Sequence, residues 1–310
     1  MPVLFPGGTW SHTLGLDLDA CLRRVYYRVY GSWGGWNLKN GPEARMAYTA
    51  KQSGTLAMHA GTLVHETIQV LLQNGREGRW WPEEKLITRI RQRFLDDVAY
   101  SEQRAWKDLR TPKDATFILN EHLAGCDVSP EQVELFANRA ATCLQAFLSD
   151  HLPALRVLGP QNWLQIDSLD SVRHDGFELF MVPDLVTRPT EASPERTIID
   201  WKTGAHPDVD QLAVYALYLV LKAQATGRTP PTPEQIVGRS IPLLDTSAVA
   251  EKRMTQADLD RAMARIEVDL TKLKPLQNPG ERKDIALFPK TPDRGRCQGC
   301  VHRFYCDMED

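Results

Sequence analysis

The stretch Ile198-Ile199-Asp200-Trp201-Lys202-Thr203-Gly204 carries the densest chemistry in the chain. Along a strand, residues two apart share a face, so Asp200 and Lys202 project together while Ile199 and Trp201 turn into packing. A carboxylate there can hold a hard cation through oxygen. An ammonium two residues on can orient water or offset charge building on a phosphate. Asp-x-Lys alone is a common pair, and a surface ion pair explains it equally well. Val182-Pro183-Asp184-Leu185-Val186 adds a second carboxylate in an apolar segment. An acid in such a place is costly unless paired, metal-bound or at a strand end. The plainer alternative is an edge aspartate beside Pro183.

Upstream, Gly61-Thr62-Leu63-Val64-His65-Glu66 puts Gly61 and His65 four apart on one helix face. The glycine permits close approach of a strand or ligand. A lone helical histidine is more often structural than a ligand, and Glu66 points elsewhere. Downstream, Gln211 and Tyr215 are again four apart, and each can bond a water or a phosphate. In isolation both are ordinary helix-face residues.

Six cysteines occur. Cys297-x2-Cys300-x5-Cys306 is tightly spaced near the end of the chain, and three thiolates invite a fourth ligand. Cys21 is the better candidate and His302 the alternative. Four thiolates suit a tetrahedral zinc site. Cys143 lies on an apolar helix stripe and reads, with Cys126, as structural.

The elements that must position these groups follow from periodicity and punctuation. A helix is expected from near Ser53 to Gly75, with Gly75 as its C-cap. Residues 82–107 read as a helix with Pro82 at its first position and Leu86, Ile90, Phe94 and Val98 on one face. Residues 129–149 read as another, opened by a Ser129/Gln132 capping box, with a stripe of Val133, Phe136, Ala140, Cys143 and Phe147. Together they make a helical insert at 76–152. Strands are expected over 155–167, 176–187 and 196–202, then a helix from Pro207 to about Ala225 closed by Gly227. A strand near Ile236–Leu244 and a helix over 255–274 follow. Residues 1–50 show weak periodicity, and no internal repeat is visible. The order of helix, three strands, helix and strand implies an α/β fold, a mixed sheet flanked by helices in one domain over 1–310.

Taken in order, Gly-x3-His, Pro-Asp, Asp-x-Lys and Gln-x3-Tyr resemble the PD-(D/E)XK nuclease superfamily in its RecB-like branch. The name is literal here: Pro183, Asp184, Asp200, Trp201, Lys202. The resemblance runs from Gly61 to Tyr215 and resumes at Cys297, leaving the insert outside it. It implies a restriction-endonuclease-like fold. It implies that Asp184 and Asp200 bind Mg²⁺ or Mn²⁺ with His65 and the Trp201 carbonyl, that Lys202 activates the attacking water, and that Gln211 and Tyr215 support the site. Asp200 stands where Glu is commoner. The segment from Cys21 through Arg23, Tyr26 and Tyr27 is similar to the entry segment of iron–sulfur nucleases of this branch, with Leu22 in place of the usual proline. That likeness implies a [4Fe–4S] cluster on Cys21, Cys297, Cys300 and Cys306. It would clasp segments 1–36 and 275–310 together and is favoured over zinc by the nuclease motifs.

Composition narrows the function without choosing it. The net charge is −3, so no strongly basic balance announces a nucleic-acid partner. The cations are unevenly placed: Arg23, Arg24 and Arg28 form one cluster and Lys85, Arg89, Arg91 and Arg93 another, either of which suits a solvated face. Trp10, Tyr26, Tyr27, Trp33 and Trp36 offer stacking surfaces for unpaired bases, or pack around the cysteines. The longest apolar run, Leu212–Leu221, is about half of what a membrane span needs, and the first residues lack a secretory pattern. A cytoplasmic protein without membrane contact is expected. The expected activity is hydrolysis of DNA at single-stranded ends or flaps, in repair, recombination or phage and CRISPR defence. The alternatives are a non-catalytic module that binds DNA ends, and a zinc-braced scaffold. No Walker A phosphate loop occurs, so a helicase motor would be a separate subunit.

Overall fold

The computed structural model describes residues 8–37, 39–107, 115–191, 194–204, 207–277, 280–303 and 306. The opening residues 1–7 and parts of segment 275–310 lie outside the described residues. After a short strand β1 (Thr9–Trp10) come helices α1 (His12–Ala20), α2 (Leu22–Tyr26), which runs on into a π turn, and α3 (Pro42–Gln52). The weak periodicity of residues 1–50 therefore concealed helices. They are short, and Leu14, Leu18, Val25, Tyr26, Tyr27 and Tyr30 pack on more than one side, so no single apolar stripe forms.

Helix α4 (Leu56–Arg76) starts at Thr55, whose hydroxyl accepts the Met58 amide hydrogen at 3.1 Å. Gly75 does not cap it. Glu77 takes the C-cap, and Gly75 instead makes room for the Trp80 ring, 2.5 Å from where a Cβ would stand. Helix α5 (Glu83–Glu102) begins one residue later than expected, with Pro82 as its N-cap. The short α6 (Asn120–Leu123) precedes α7 (Pro130–Ala146), whose Ser129/Gln132 capping box is formed. A π turn over Phe147–His151 leads to α8 (Leu152–Leu158). Leu86, Ile90, Phe94 and Val98 of α5 bury against α4 and α7 as their spacing demands.

The strand expected over 155–167 is instead α8, a 3-10 turn, and only four extended residues, β2 (Trp163–Ile166). Leu152 and Leu155 bury at helical spacing, and Gly159 at φ +86° breaks the chain between the two forms. The expected strand at 176–187 is also two. Strands β3 (Asp170–His174) and β4 (Phe177–Met181) form a hairpin around Asp175 and Gly176, both at positive φ, and β5 (Leu185–Thr187) follows Pro183. Pro183 cannot donate to a ladder, so the strand ends there. Then come β6 (Arg196–Lys202), α9 (Val209–Ala225), β7 (Ile236–Pro242), β8 (Ala250–Arg253) and α10 (Gln256–Leu273). Strand β8 was not expected.

The strands make two sheets, ordered β2-β5-β6-β7-β8 and β1-β4-β3. In the larger sheet β6 and β7 run parallel, joined by the α9 crossover, and the other pairs are antiparallel. The arrangement is mixed α/β, as expected. One side of the larger sheet presents Ile198 to a core that includes Leu212 and Leu217 of α9 and Ile266 of α10. The other side presents Ile199 and Trp201 to Leu63 of α4 and Ala140 of α7. The Trp201 ring meets Phe147 edge-on at 5.1 Å. No helix among the described residues is long and apolar enough to cross a membrane.

The hairpin β3–β4 leaves the larger sheet after β2 and returns to it at β5. Both crossings, at Asp167–Leu169 and at Val182–Asp184, lie side by side, for the Asp167 amide donates to the Asp184 carbonyl at 2.9 Å.

Candidate active site

Asp184 reaches Asp200 through register. Strand β5 is antiparallel to β6 with Leu185 opposite Ile199, so the residue before Leu185 falls beside Asp200. Alternation then puts Asp200 and Lys202 on one face, with Ile199 and Trp201 on the other. Asp184 and Asp200 are both buried, at 9% and 4% exposure. One carboxylate oxygen of Asp184 accepts from the Trp201 amide at 2.7 Å, and the other lies 2.9 Å from Nδ1 of His65 on α4. Helix α4 comes this close because Gly61 faces Thr203: a Cβ there would stand 2.9 Å from the Thr203 hydroxyl.

The Lys202 ammonium is 2.8 Å from Asp200 Oδ2 and donates to Gln211 Oε1 at 2.7 Å. Gln211 is fixed by the start of α9, where the Asp208 carboxylate accepts the Gln211 amide hydrogen at 3.0 Å. The Gln211 amide group in turn donates to the Tyr215 hydroxyl at 2.7 Å, and that hydroxyl donates to the Val182 carbonyl at 3.0 Å. Tyr215 is thus a brace turned inward, tying α9 to the chain just before Asp184.

Two carboxylates in a poorly hydrated place resist ionisation together. Burial, and then the charge of Asp184, push Asp200 up to about 6, against the pull of Lys202 and His65. Burial lowers the His65 imidazole, but the charges of Asp184, Asp200 and Asp167 overcome it, so its pKa is raised. Burial and the same carboxylates hold the Tyr215 phenol well above its usual range, so it stays protonated. Asp200 Oδ2 is buried and lacks a well-aligned hydrogen bond despite the nearby ammonium. Hard oxygen donors, an imidazole and an underfilled carboxylate match what Mg²⁺ or Mn²⁺ takes. As they stand, no three His, Cys, Asp or Glu side chains among the described residues are arranged to hold a metal ion. Both Asp184 oxygens are engaged, by the Trp201 amide and by His65.

Sequence reasoning missed Asp167, Asp208 and Arg139. Asp167 closes β2 at φ +33°, with its carbonyl accepting from Gln69, one turn beyond His65 on α4. Burial and Asp184 raise its pKa. Arg139 of α7 donates twice to the Thr203 carbonyl, steadying the turn after Lys202. Asp208 was legible as a helix N-cap before Val209. The other two become visible only in three dimensions.

The cysteines gather elsewhere. Cys21, between α1 and α2, lines one cavity with Cys297, Cys300 and Cys306. Burial pushes the Cys300 thiol up, and Cys21 and Cys297 are near enough to add to the rise. His302 lines the same cavity, stacks on Tyr27 at 5.0 Å, and is held down to about 3 by burial and by Arg28, Arg24 and Lys51. Arg23, Arg24, Arg294 and Arg303 surround the thiols, a cationic setting that fits an anionic thiolate centre. Cys143 is buried on the α7 stripe, whereas Cys126 is exposed and has no packing role.

The first basic cluster is not a solvated face. Arg24 and Arg28 pair with the buried Asp17, and Arg23 donates to the Phe288 carbonyl at 2.7 Å. In the second, Arg91 pairs with Glu134 and Arg93 with Glu66, while Lys85 is exposed. Trp10, Tyr26 and Tyr27 are core residues, so the expected base-stacking surface is reduced to the half-buried Trp33 and Trp36.

Comparison with known proteins gives one family. The description "PD-(D/E)XK nuclease superfamily" matches residues 36–307. No curated protein matches. Among solved structures, the one titled "Crystal structure of SSO0001" is 16% identical over 58% of this chain and 80% of its own, with a TM-score of 0.26. So loose an overlap bears on neither fold nor function.

Proposed function

Because this chain belongs to the PD-(D/E)XK nuclease superfamily, we propose that it is a Mg²⁺- or Mn²⁺-dependent DNA nuclease of the RecB-like branch, acting at single-stranded ends or flaps. The observation that carries this reading is the convergence of Asp184, Asp200 and Lys202, with Lys202 held by Gln211 at 2.7 Å. Asp184 and Asp200, with His65 and the Trp201 carbonyl, would hold the metal ion, which would supply Lewis acidity toward the phosphate. Lys202, tethered on one side, keeps a proton-rich group facing the attacking water and offsets charge on the phosphate. Gln211 and Tyr215 fix the direction of that ammonium.

In this reading Cys21, Cys297, Cys300 and Cys306 would hold a [4Fe–4S] cluster, a proposal supported by their lining one cavity although they lie nearly the whole chain length apart. Its role is mechanical, bracing the first and last segments. The setting is DNA repair, recombination or phage defence in the cytoplasm, with any helicase motor a separate subunit. The test is anaerobic purification followed by Mn²⁺-dependent cleavage of end-labelled single- and double-stranded DNA. Absence of cleavage, with the metal bound, would favour the second reading of a DNA-end-binding subunit. The present motifs argue against that reading, since Asp184, Asp200 and Lys202 are all retained.

A further inference from the structure

Four arginines meet at the end of the larger sheet remote from the catalytic carboxylates. Arg188 follows β5, Arg196 opens β6, Arg76 closes α4 and Arg228 lies just beyond α9. Edge strand β2 runs between two open clefts that share Leu164. One is lined by Arg76 and Arg188, the other by Arg196 and Arg228. Arg188 and Arg228 are exposed. The guanidiniums lie close enough to repel one another: after burial, Arg188 is what lowers Arg76, and Arg188 and Arg228 lower Arg196.

No ion pair to any of the four forms among the described residues, although most arginines elsewhere have one. Arg76 donates only to the Trp163 carbonyl. Asp170, the carboxylate lining the second cleft, is taken by Lys222 and Tyr218. The C-terminus of α9 offers about half an elementary charge, too little to balance the cluster. In a chain of net charge −3, such uncompensated cations mark a binding surface for an anion.

We infer that Arg76, Arg188, Arg196 and Arg228 form an accessory track for the sugar–phosphate backbone of the nucleic-acid substrate. The identity of the partner rests on the nuclease reading. Three features support a phosphate chain. Guanidinium forks match phosphate oxygens in pairs. The aromatics that line the clefts, Trp163 and Tyr218, are buried, so neither stands out as the anchor that a protein interface puts at its centre. Spacing also fits: Arg188 is four residues from Asp184 along β5, and Arg196 four from Asp200 along β6, about 13 Å at strand rise. Arg76 is eleven residues from His65, about 16 Å at helical rise. These distances span roughly four to five phosphates of a stacked strand. The nearby Trp80 is wedged between Gly75 and the Arg156 guanidinium, 4.4 Å from its centroid, so the track reads backbone and not base.

The experiment uses the full chain purified anaerobically, without added divalent metal, and fluorescein-labelled (dT)20 measured by anisotropy across a salt series. Arg188→Ala/Arg228→Ala should bind about tenfold more weakly at ~100 mM salt, with the slope of log affinity on log salt shallower by about 1.4. Arg173→Ala/Arg239→Ala removes the same charge elsewhere and should bind as the wild type does. Equal loss in both double variants, or none in the first, overturns the track. So does binding to phosphatidylserine vesicles or poly-glutamate in preference to the oligonucleotide. Arginine-dependent binding by a wild-type protein that never cleaves would instead overturn the nuclease reading and leave the track standing.

Discussion

Gln211 holds the Lys202 ammonium at 2.7 Å across the turn that leaves the sheet and begins α9. Two variants separate holding from chemistry. Lys202→Ala should keep the fold and lower metal-dependent cleavage by about 10²–10⁴-fold, the range for a positioned acid–base or charge-stabilising group. Gln211→Ala should lower it by about tenfold, since the ammonium remains but loses its tether. Single-turnover cleavage rates decide the matter; equal rates for both variants and wild type would remove Lys202 from the mechanism.

Asp184 should behave differently from Lys202. Asp184→Asn keeps the shape and one acceptor for the Trp201 amide but removes the charge that raises both His65 and Asp200. Cleavage should fall with the loss of Mn²⁺ binding, read by calorimetry. Unchanged Mn²⁺ affinity in this variant would show that Asp184 is not a ligand.

The metal-free protein should lose stability as pH rises. Between the unfolded value near 3.8 and the folded value of about 6, the native Asp200 keeps a proton that the unfolded chain has released. The stabilisation is full below 3.8 and gone above about 6, on the order of 3 kcal/mol. His65 acts in the same direction, its contribution fading as pH rises from 6.5 through its raised folded value. Mn²⁺ replaces those protons, so the rise in Tm on adding it should be larger at pH 8 than at pH 5. An equal rise at both pH values would detach the metal from these groups.

With the proposed cluster in place, the anaerobic protein should be brown and carry roughly four irons per chain, and Cys21→Ala should lose both. It should also lower Tm, because the clasp closes a very long loop. Cys143→Ala should keep the iron while costing stability through its buried site. Full iron content in Cys21→Ala would turn attention to His302 as the ligand.

Gly238→Ala tests how α9 is seated. A Cβ there would stand 2.6 Å from the end of Met254 and 3.0 Å from the Leu212 Cβ. Chemical denaturation should show a loss of about 1–3 kcal/mol. A neutral result would mean that the end of Met254 and the Leu212 Cβ give way without cost.

The convergence of the candidate residues was legible because they sit on elements with strict periods. Alternation along β6 and a four-residue step along α4 and α9 settle which side chains share a face, whatever the rest of the chain does. What failed was local. The stretch 155–167 is apolar enough to suggest one strand, and only the helical spacing of Leu155 with the preceding Leu152 distinguishes its first half. The N-terminal helices pack on several sides and leave no stripe. Asp167 is an ordinary loop aspartate until the Asp184 carbonyl takes its amide hydrogen. Charge clusters were the least readable, because pairing partners such as Asp17 and Glu134 come from other elements.

The paired crossings at Asp167 and Asp184 give the hairpin β3–β4 the character of an arm on a torsion bar. The arm's free edge carries β1, and the Thr9 amide on that strand is tied to Gln277, beyond α10. The bar itself ends in the carboxylate that faces His65. The seam between Thr9 and Gln277 thus sits one hairpin away from the backbone that places Asp184 beside His65, so the outer edge of the molecule and its candidate site share a single support.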